Sequence, residues 1–328
     1  MTAYTIIGGG SLGLLLAGRL AEAGYDVVVV TRTAEQAELL SINGVTIEEG
    51  TMEGQGALTV PVRAVAMGDA AAETGGPVLL AVKQTALTDT FLADLASIIP
   101  IGGIAALFQN GVGHPERLAE ALPGRMLLQA VTTEGALRVC PATVRHTGKG
   151  DIRIGEWGLS HDEASGLDGV NSREDALTMR NLLIRSLKDA GFNAILSNKL
   201  EEAVWRKLLI NAVINPLTAL LRVRNGELTA TQDRLALMRA LFDETHEILR
   251  AQGLTEHSEA MWLAVLAVCD KTKGNESSML QDVKAGRETE IDAINGAIGR
   301  MAAGQGRQAP WNESVAALVK ATYYFKGD

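Results

Sequence analysis

The chain has few of the residues that build disulfide frameworks and metal sites. Only two of its 328 residues are cysteines, Cys140 and Cys269, and they lie far apart in the sequence. Two distant cysteines exclude a disulfide framework and a cysteine-rich zinc site, and they are typical of a reducing compartment. The five histidines show no metal-ligand spacing. We therefore expect a cytoplasmic protein without a metal.

Long apolar runs and basic runs are also missing. No stretch reaches the ~18 uninterrupted apolar residues that a membrane-spanning helix needs, so we expect no membrane partner. The net charge is −9 and no segment concentrates lysine and arginine, which argues against binding to nucleic acid. The 47% hydrophobic and 21% charged composition is that of a globular protein, and the length suggests two domains. The oligomeric state stays open, a homodimer included.

Short aliphatic runs alternate with helical patterns through the first half of the chain. Such alternation predicts an α/β fold, a Rossmann-type doubly wound parallel sheet covered by helices on both faces. After residue 131 the pattern of apolar and polar residues changes. Residues 141–157 alternate in period two and predict a hairpin or meander added to the sheet, and the polar, glycine-rich residues 158–175 predict a surface loop. The aliphatic runs are 4–7, 26–30, 78–82, 104–108 and 126–131.

From residue 198 onward the patterns are helical and none is typical of a strand. We therefore predict two domains, a dinucleotide-binding domain over 1–197 and a mainly α-helical substrate and catalytic domain over 198–328. Pro216 falls inside the first helix of the second domain, where it should kink or end that helix.

A glycine motif follows the first predicted strand and opens a helix. Gly8, Gly10 and Gly13 form G-x-G-x-x-G, with Ser11 and Leu12 inside it. The glycines permit a tight turn and close approach of the backbone to a pyrophosphate, and the helix N-terminus faces the anion. Because strand, helix and second strand all have the required spacing, the motif predicts dinucleotide binding rather than a chance glycine-rich turn.

The end of the second strand indicates which dinucleotide. An NAD site expects an acidic residue there, but the strand ends in Thr31 and Arg32. A 2′-phosphate favours a guanidinium and is repelled by a carboxylate. We therefore expect NADPH, although a solvated surface arginine would look the same and Glu35 lies nearby.

Two polar residues follow later strands, Lys83 in LLAVKQT and Asn110 in LFQNGVG. Ligands bind at the carboxyl ends of the strands in an open α/β sheet. Each residue alone could be an ordinary loop residue, and together they favour ligand contacts.

In the stretch WRKLLINAVINPLT, the polar residues between Arg206 and Thr218 are Lys207, Asn211 and Asn215. Side chains four apart share one face of a helix, so these three form a polar stripe on an otherwise buried element. One such lysine could reach solvent along its stem, but three residues in register point to a site. Hydride addition to a ketone builds negative charge on oxygen, and a partly desolvated lysine can stabilise that charge and donate a proton.

A second cluster lies in SSMLQDVKAGRETEID, which contains Ser278 and Glu290. In one continuous helix these two residues would be ~18 Å apart, too far to contact one small molecule. Gly286 is a plausible break after which Glu290 could turn back.

Several segments resemble the ketopantoate reductase family across nearly the whole chain. They are GGGSLG, AVK, FQNGVG, WRKLLINAVINPLTAL, RNGEL and SSMLQDVKAGRETEID. The resemblance implies NADPH-dependent reduction of 2-dehydropantoate to (R)-pantoate, a step of pantothenate and coenzyme A synthesis. It also implies a small 2-ketoacid as the binding partner.

The same resemblance implies roles for individual residues. Lys207 would be the proton donor, Glu290 would lie beside the nicotinamide ribose and the reacting centre, and Lys83 would contact the cofactor. Asn110 would sit between cofactor and substrate. The substrate would be held by Asn211, Asn215, Asn225 and Ser278.

Three alternatives remain open. The family includes members that act on other 2-ketoacids. A β-hydroxyacid dehydrogenase also carries Lys-x-x-x-Asn on its catalytic helix, but it would have a glycine-rich segment where this chain has LEEAVWRK. A non-catalytic NADPH-sensing module would have no need of Lys207 or Glu290.

Overall fold

The computed structural model describes residues 3–50, 56–70, 76–157 and 170–322. The chain divides into two compact units. The N-terminal unit comprises Met1–Gln109 and His114–Leu200, and the C-terminal unit comprises Asn110–Gly113 and Glu201–Asp328.

Two sheets form the framework of the N-terminal unit. The strands are β1 (Ala3–Ile7), β2 (Asp26–Thr31), β3 (Val45–Glu49), β4 (Leu58–Val60), β5 (Arg63–Ala66), β6 (Val78–Leu80), β7 (Ile104–Leu107), β8 (Met126–Thr132), β9 (Gly135–Cys140), β10 (Thr143–Gly148), β11 (Asp151–Glu156) and β12 (Asn193–Leu196). The main sheet has eight strands in the order β12-β11-β8-β7-β6-β1-β2-β5, parallel except where β11 pairs antiparallel with β8. This sheet and the helical C-terminal region confirm the predicted fold class.

Successive residues of the central strands alternate between two apolar cores. Ile6 and Val29 belong to one core, while their neighbours Ile7 and Val30 belong to the other. Adjacent side chains of a strand point to opposite faces, and both faces of a parallel sheet are covered. This is why these strands are continuous apolar runs. The helices are α1 (Ser11–Glu22), α2 (Ala34–Asn43), α3 (Asp89–Ile98), α4 (His114–Ala121) and α5 (Val170–Asp189).

The hairpin expected over 141–157 is wrong in its placement. β10 pairs with β9 and runs parallel to β3 in a separate four-stranded sheet, ordered β4-β3-β10-β9, whereas β11 joins the main sheet. Val144 of β10 packs in the same core as Val45 of β3 and Leu15 of α1. Period-two alternation identifies a half-buried strand, but it does not say which sheet buries it.

The surface loop predicted over 158–175 is partly wrong and partly outside the described residues. Residues 158–169 are not described, and α5 already begins at Val170.

The C-terminal unit is helical, and its described residues contain no strand. Pro216 does not end its helix, which continues to Leu221. None of the helices in the described ranges is long and apolar enough to cross a membrane. The helices are α6 (Leu200–Leu221), α7 (Gln232–Arg250), α8 (Ser258–Lys271), α9 (Ser278–Lys284), α10 (Asn295–Gly304) and α11 (Pro310–Ala321).

Candidate active site

The glycine loop joins β1 to α1 in the N-terminal unit. Gly8 has φ +117°, a conformation that favours glycine, and a Cβ added at Gly13 would lie 1.8 Å from the Gly8 carbonyl oxygen. Gly13 is therefore required for the close packing of helix on strand. A Cβ at Gly10, by contrast, would meet no protein atom within 4 Å, which leaves open space at the start of α1.

The first turn of α1 suits an anion in that space. The N-cap residue Gly10 makes no side-chain cap, and the turn contains no acidic residue. The first backbone N–H groups of a helix have no partner within the helix, and the helix dipole favours negative charge there. The turn, which includes Ser11 and Leu12, therefore fits the pyrophosphate of a dinucleotide.

Two side chains that the sequence did not single out contact this loop. Gln36 of α2 donates hydrogen bonds to the carbonyl oxygens of Gly9 and Pro141, each at 2.8 Å. Arg138 of β9 donates to Gly9 O at 3.2 Å, and its backbone N–H donates to Ser11 Oγ at 3.0 Å. The second sheet is thereby tied to the glycine loop. No local pattern marks these residues, because each contact joins segments that are distant in the sequence.

The end of β2 carries the predicted cofactor-selecting residues. Thr31 is buried and donates to Thr33 O at 2.8 Å, while Arg32 is exposed. Glu35 lies in the first turn of α2, where a hydrogen bond from its own backbone and one from Thr33 lower the pKa of its carboxyl. The expected guanidinium is therefore at the strand end, with a carboxylate held at the neighbouring helix start.

Lys83 and Asn110 follow β6 and β7, as the sequence predicts. Lys83 is partly buried and precedes a 3-10 turn over Gln84–Ala86, and its carbonyl accepts from Ala86 N at 3.0 Å. Asn110 is grouped with the C-terminal unit, so its contacts are described there.

The polar stripe predicted on α6 lies within the continuous helix Leu200–Leu221. Asn215 is buried, and Lys207 and Asn211 are partly buried. Burial of the ammonium lowers the pKa of Lys207 to about 8, and the charge of Glu290 opposes this by favouring the protonated form. A lysine with such a pKa can exchange a proton near neutral pH.

Glu290 lies in the segment between α9 and α10. α9 ends at Lys284, and Gly286 has φ +60°, which confirms the predicted break between Ser278 and Glu290. Glu290 is only 8% exposed and precedes a 3-10 turn over Ile291–Ala293.

Asn110 meets the same carboxylate from another part of the chain. Its Nδ2 donates to Glu290 Oε2 at 3.1 Å. The next residues lie against the same segment: Val112 N donates to Ala293 O at 3.2 Å, and a Cβ at Gly111 would stand 2.3 Å from that oxygen. Asn110, Lys207 and Glu290 therefore form one cluster, in which the Glu290 carboxylate accepts a hydrogen bond from the amide and its charge acts on the ammonium.

The two remaining predicted substrate residues are Ser278 and Asn225. Ser278 is exposed in the first turn of α9, and its neighbour Ser277, the N-cap, is 2.7 Å from Thr218 of α6 between hydroxyl oxygens. Asn225 is buried, and its Nδ2 donates to Thr272 Oγ1 at 2.9 Å. Their contact with a substrate stays a prediction.

The cluster combines a titratable cation, a carboxylate that stabilises it and an amide that can donate and accept hydrogen bonds. These groups suit protonation of an oxyanion and recognition of a small oxygen-rich molecule. Within the described ranges no group of three or more His, Cys, Asp or Glu side chains is placed to hold a metal ion.

Known proteins resemble the chain over both units. A family model described as ketopantoate reductase PanE/ApbA matches residues 4–158, and one for the C-terminal part of the same family matches residues 199–323. The 2-dehydropantoate 2-reductase of Bacillus subtilis (strain 168) is 36% identical over 318 residues, which cover 96% of each chain.

Solved structures share the fold. The crystal structure of the probable 2-dehydropantoate 2-reductase of Bacillus subtilis matches with a TM-score of 0.75 and 34% identity, covering 98% of this chain and 99% of that one. A D-mandelate dehydrogenase crystallised with NADH and anilino(oxo)acetate matches with a TM-score of 0.82, 98% coverage of each chain and 22% identity. This second likeness concerns the fold alone.

Proposed function

The chain belongs to the ketopantoate reductase family, and from that premise we propose that it reduces 2-dehydropantoate to (R)-pantoate with NADPH. The observation that carries the proposal is the cluster of Lys207, Glu290 and Asn110. The family makes the chain an oxidoreductase, and the cluster supplies the groups that such a reduction requires.

NADPH, when bound, supplies the hydride that adds to the carbonyl carbon of the ketoacid. The negative charge then develops on the carbonyl oxygen, where Lys207 stabilises it and donates the proton that completes the hydroxyl. The lowered pKa of Lys207, about 8, makes this proton easier to release, and Glu290 keeps the lysine protonated below that pH.

The remaining polar residues orient the substrate in this proposal. Asn211 and Asn215 lie one and two helical turns from Lys207 on the same face of α6, where neutral amides suit a hydroxy-ketoacid. Asn225 and Ser278 would contact its more distant groups. Asn110 would lie between substrate and cofactor while holding the Glu290 carboxylate.

The N-terminal unit would bind the cofactor. The open space at Gly10 and the uncapped first turn of α1 support a pyrophosphate there. Arg32, exposed at the end of β2, would favour the 2′-phosphate of NADPH, and Lys83 would contact the cofactor after β6.

A panel of 2-ketoacids tests the reaction. We expect NADPH oxidation with 2-dehydropantoate at a kcat/KM at least ~100-fold above that with phenylglyoxylate, the ketoacid of mandelate, because the amides of α6 suit a hydroxylated aliphatic substrate. Preference for phenylglyoxylate would favour a reductase of another 2-ketoacid. NADPH binding without turnover on any 2-ketoacid would favour the sensing module.

A further inference from the structure

Pro216 leaves a buried carbonyl without its helical partner. Proline has no N–H group, so inside a helix it cannot donate to the carbonyl four residues earlier. For Pro216 of α6 this is the carbonyl of Ala212, a fully buried residue. A buried carbonyl without a donor is unfavourable, so another group should occupy this position.

That group is the side-chain amide of Asn295, the first residue of α10. Its Nδ2 donates to Ala212 O at 2.9 Å. The same NH₂ group donates to Asn312 Oδ1 of α11, also at 2.9 Å. Asn295 and Asn312 are both fully buried.

The network continues into α7 and fixes the orientation of the amides. Nδ2 of Asn312 donates to Glu244 Oε1 at 2.9 Å and to Thr245 Oγ1 at 3.0 Å. The acceptor oxygen of Asn312 therefore faces Asn295, and Asn295 must direct its NH₂ group toward both Asn312 and Ala212. An isosteric carboxylate at position 295 could not make these bonds.

Both ends of the Asn295–Ala212 bond lie five residues in sequence from a proposed catalytic group. Ala212 follows Asn211 directly and lies five residues after Lys207 on α6. Asn295 lies five residues after Glu290, joined to it by the 3-10 turn Ile291–Ala293. The bond therefore connects the helix that carries the ammonium to the segment that carries its carboxylate.

We propose that Asn295 is a positioning residue, which holds Lys207 in register with Glu290 by binding the Ala212 carbonyl that Pro216 leaves without a helical donor. The proposal rests on the proposed function, because it assumes that Lys207 is the acid. The role of Asn295 depends on the proline: alanine at position 216 would restore an N–H group that can donate to Ala212 O itself.

This dependence makes a double-mutant cycle the decisive experiment. Wild type, Asn295→Ala, Pro216→Ala and the double variant are compared for kcat with 2-dehydropantoate, KM for NADPH, the pH at which kcat falls on the alkaline side, and Tm. Gln305→Ala is the matched control, because Gln305 also donates a side-chain hydrogen bond to a backbone carbonyl, that of Ile248, at 3.1 Å.

We expect Asn295→Ala to lower kcat by about 10-fold, since a small displacement of a catalytic group is sufficient for such a loss. The alkaline limb should move to lower pH as Lys207 loses the support of Glu290, and the KM for NADPH should change less than ~2-fold because the glycine loop is untouched. In the Pro216→Ala background the same substitution should lower kcat by less than ~3-fold. Gln305→Ala should lower Tm without changing kcat or its pH dependence.

Other outcomes overturn the inference. If Asn295→Ala has the kcat of wild type and kcat falls at the same alkaline pH, Asn295 only stabilises the fold. If Asn295→Ala lowers kcat equally in the wild-type and Pro216→Ala backgrounds, its role does not depend on Pro216. If Asn295→Ala does not fold, the double variant must fold and turn over; failure of both would contradict the proposal. A wild type without turnover would instead contradict the proposed function, and the positioning role of Asn295 with it.

Discussion

Asn110 donates a hydrogen bond to Glu290 across 180 residues of sequence, with 3.1 Å between Nδ2 and Oε2. This bond holds a carboxylate that also raises the pKa of Lys207 against the opposing effect of burial. This cluster thus takes one group from each of three parts of the chain: the loop after β7, the turn before α10, and α6.

Replacement of Glu290 by glutamine should move the alkaline limb of kcat to lower pH. Only protonated Lys207 can donate a proton, so kcat for reduction should fall as pH rises through its pKa of about 8. Removal of the neighbouring negative charge lowers that pKa further, by about one unit for a close pair. The pH profile of kcat measures this shift.

Glu288→Gln is the matched control, because Glu288 is exposed two residues away. In this variant kcat should still fall near pH 8. If the pH at which kcat falls shifts equally in both variants, or in neither, Glu290 does not influence the pKa of Lys207.

Lys207 should also make stability depend on pH. Its folded-state pKa of about 8 lies below the ordinary value of 10.5, so between these pH values the unfolded chain binds one more proton than the folded chain. The free energy of unfolding therefore rises with pH across this window. Relative to Lys207→Met, wild type should gain on the order of 2 kcal/mol between pH 7.5 and pH 10.

Urea unfolding of both proteins at several pH values gives this difference. Lys271→Met, at an exposed lysine of α8, should follow wild type throughout. A Lys207→Met protein that keeps a constant difference from wild type would mean that the ammonium is not desolvated in the fold.

Arg32→Ala should reduce the preference for NADPH over NADH. Loss of a charge-assisted contact to the 2′-phosphate should raise the Kd of NADPH by about 10- to 100-fold and leave that of NADH nearly unchanged. Fluorescence titration of both nucleotides measures the ratio. Arg185→Ala, at another exposed arginine of the N-terminal unit, should preserve it, and an unaltered ratio in Arg32→Ala would contradict the role of Arg32.

Alanine at Gly10 and at Gly13 should fail in different ways. At Gly10 the added Cβ meets no protein atom, so Tm should change little, while NADPH binding should weaken by at least ~10-fold because the methyl group occupies the space for the phosphates. At Gly13 the Cβ would overlap Gly8 O, so the fold should lose about 3 kcal/mol or more. Calorimetry and NADPH titration separate the two effects. If Gly10→Ala binds NADPH as tightly as wild type, the phosphates do not occupy the space at Gly10.

What the sequence predicted well depends on local periodicity. The stripe of Lys207, Asn211 and Asn215 follows from helical spacing within one element, and the glycine motif follows from adjacent strand and helix patterns. The parallel pairing of β3 with β10, by contrast, joins distant segments, and its polar strands resemble loops. For this reason the second sheet, and with it the contact of Arg138 to Gly9, escaped prediction.

The supports of the site were harder to predict than its chemical groups. Because a proline inside a helix has no N–H group, the carbonyl four residues earlier needs another donor. Nothing in the local sequence identifies Asn295 as that donor. The Asn110–Glu290 bond likewise depends on tertiary packing, although the resemblance to a known family had placed both residues at one site.

Single-turnover reduction of 2-dehydropantoate by Lys207→Ala, with NADPH already bound, tests directly whether Lys207 is the proton donor. We expect NADPH binding within ~2-fold of wild type and a reduction rate lower by at least ~100-fold, the scale for loss of a general acid. Lys271→Ala should behave as wild type. A Lys207→Ala enzyme that binds NADPH and reduces the ketoacid at the wild-type rate would contradict the assignment of Lys207 as the proton donor.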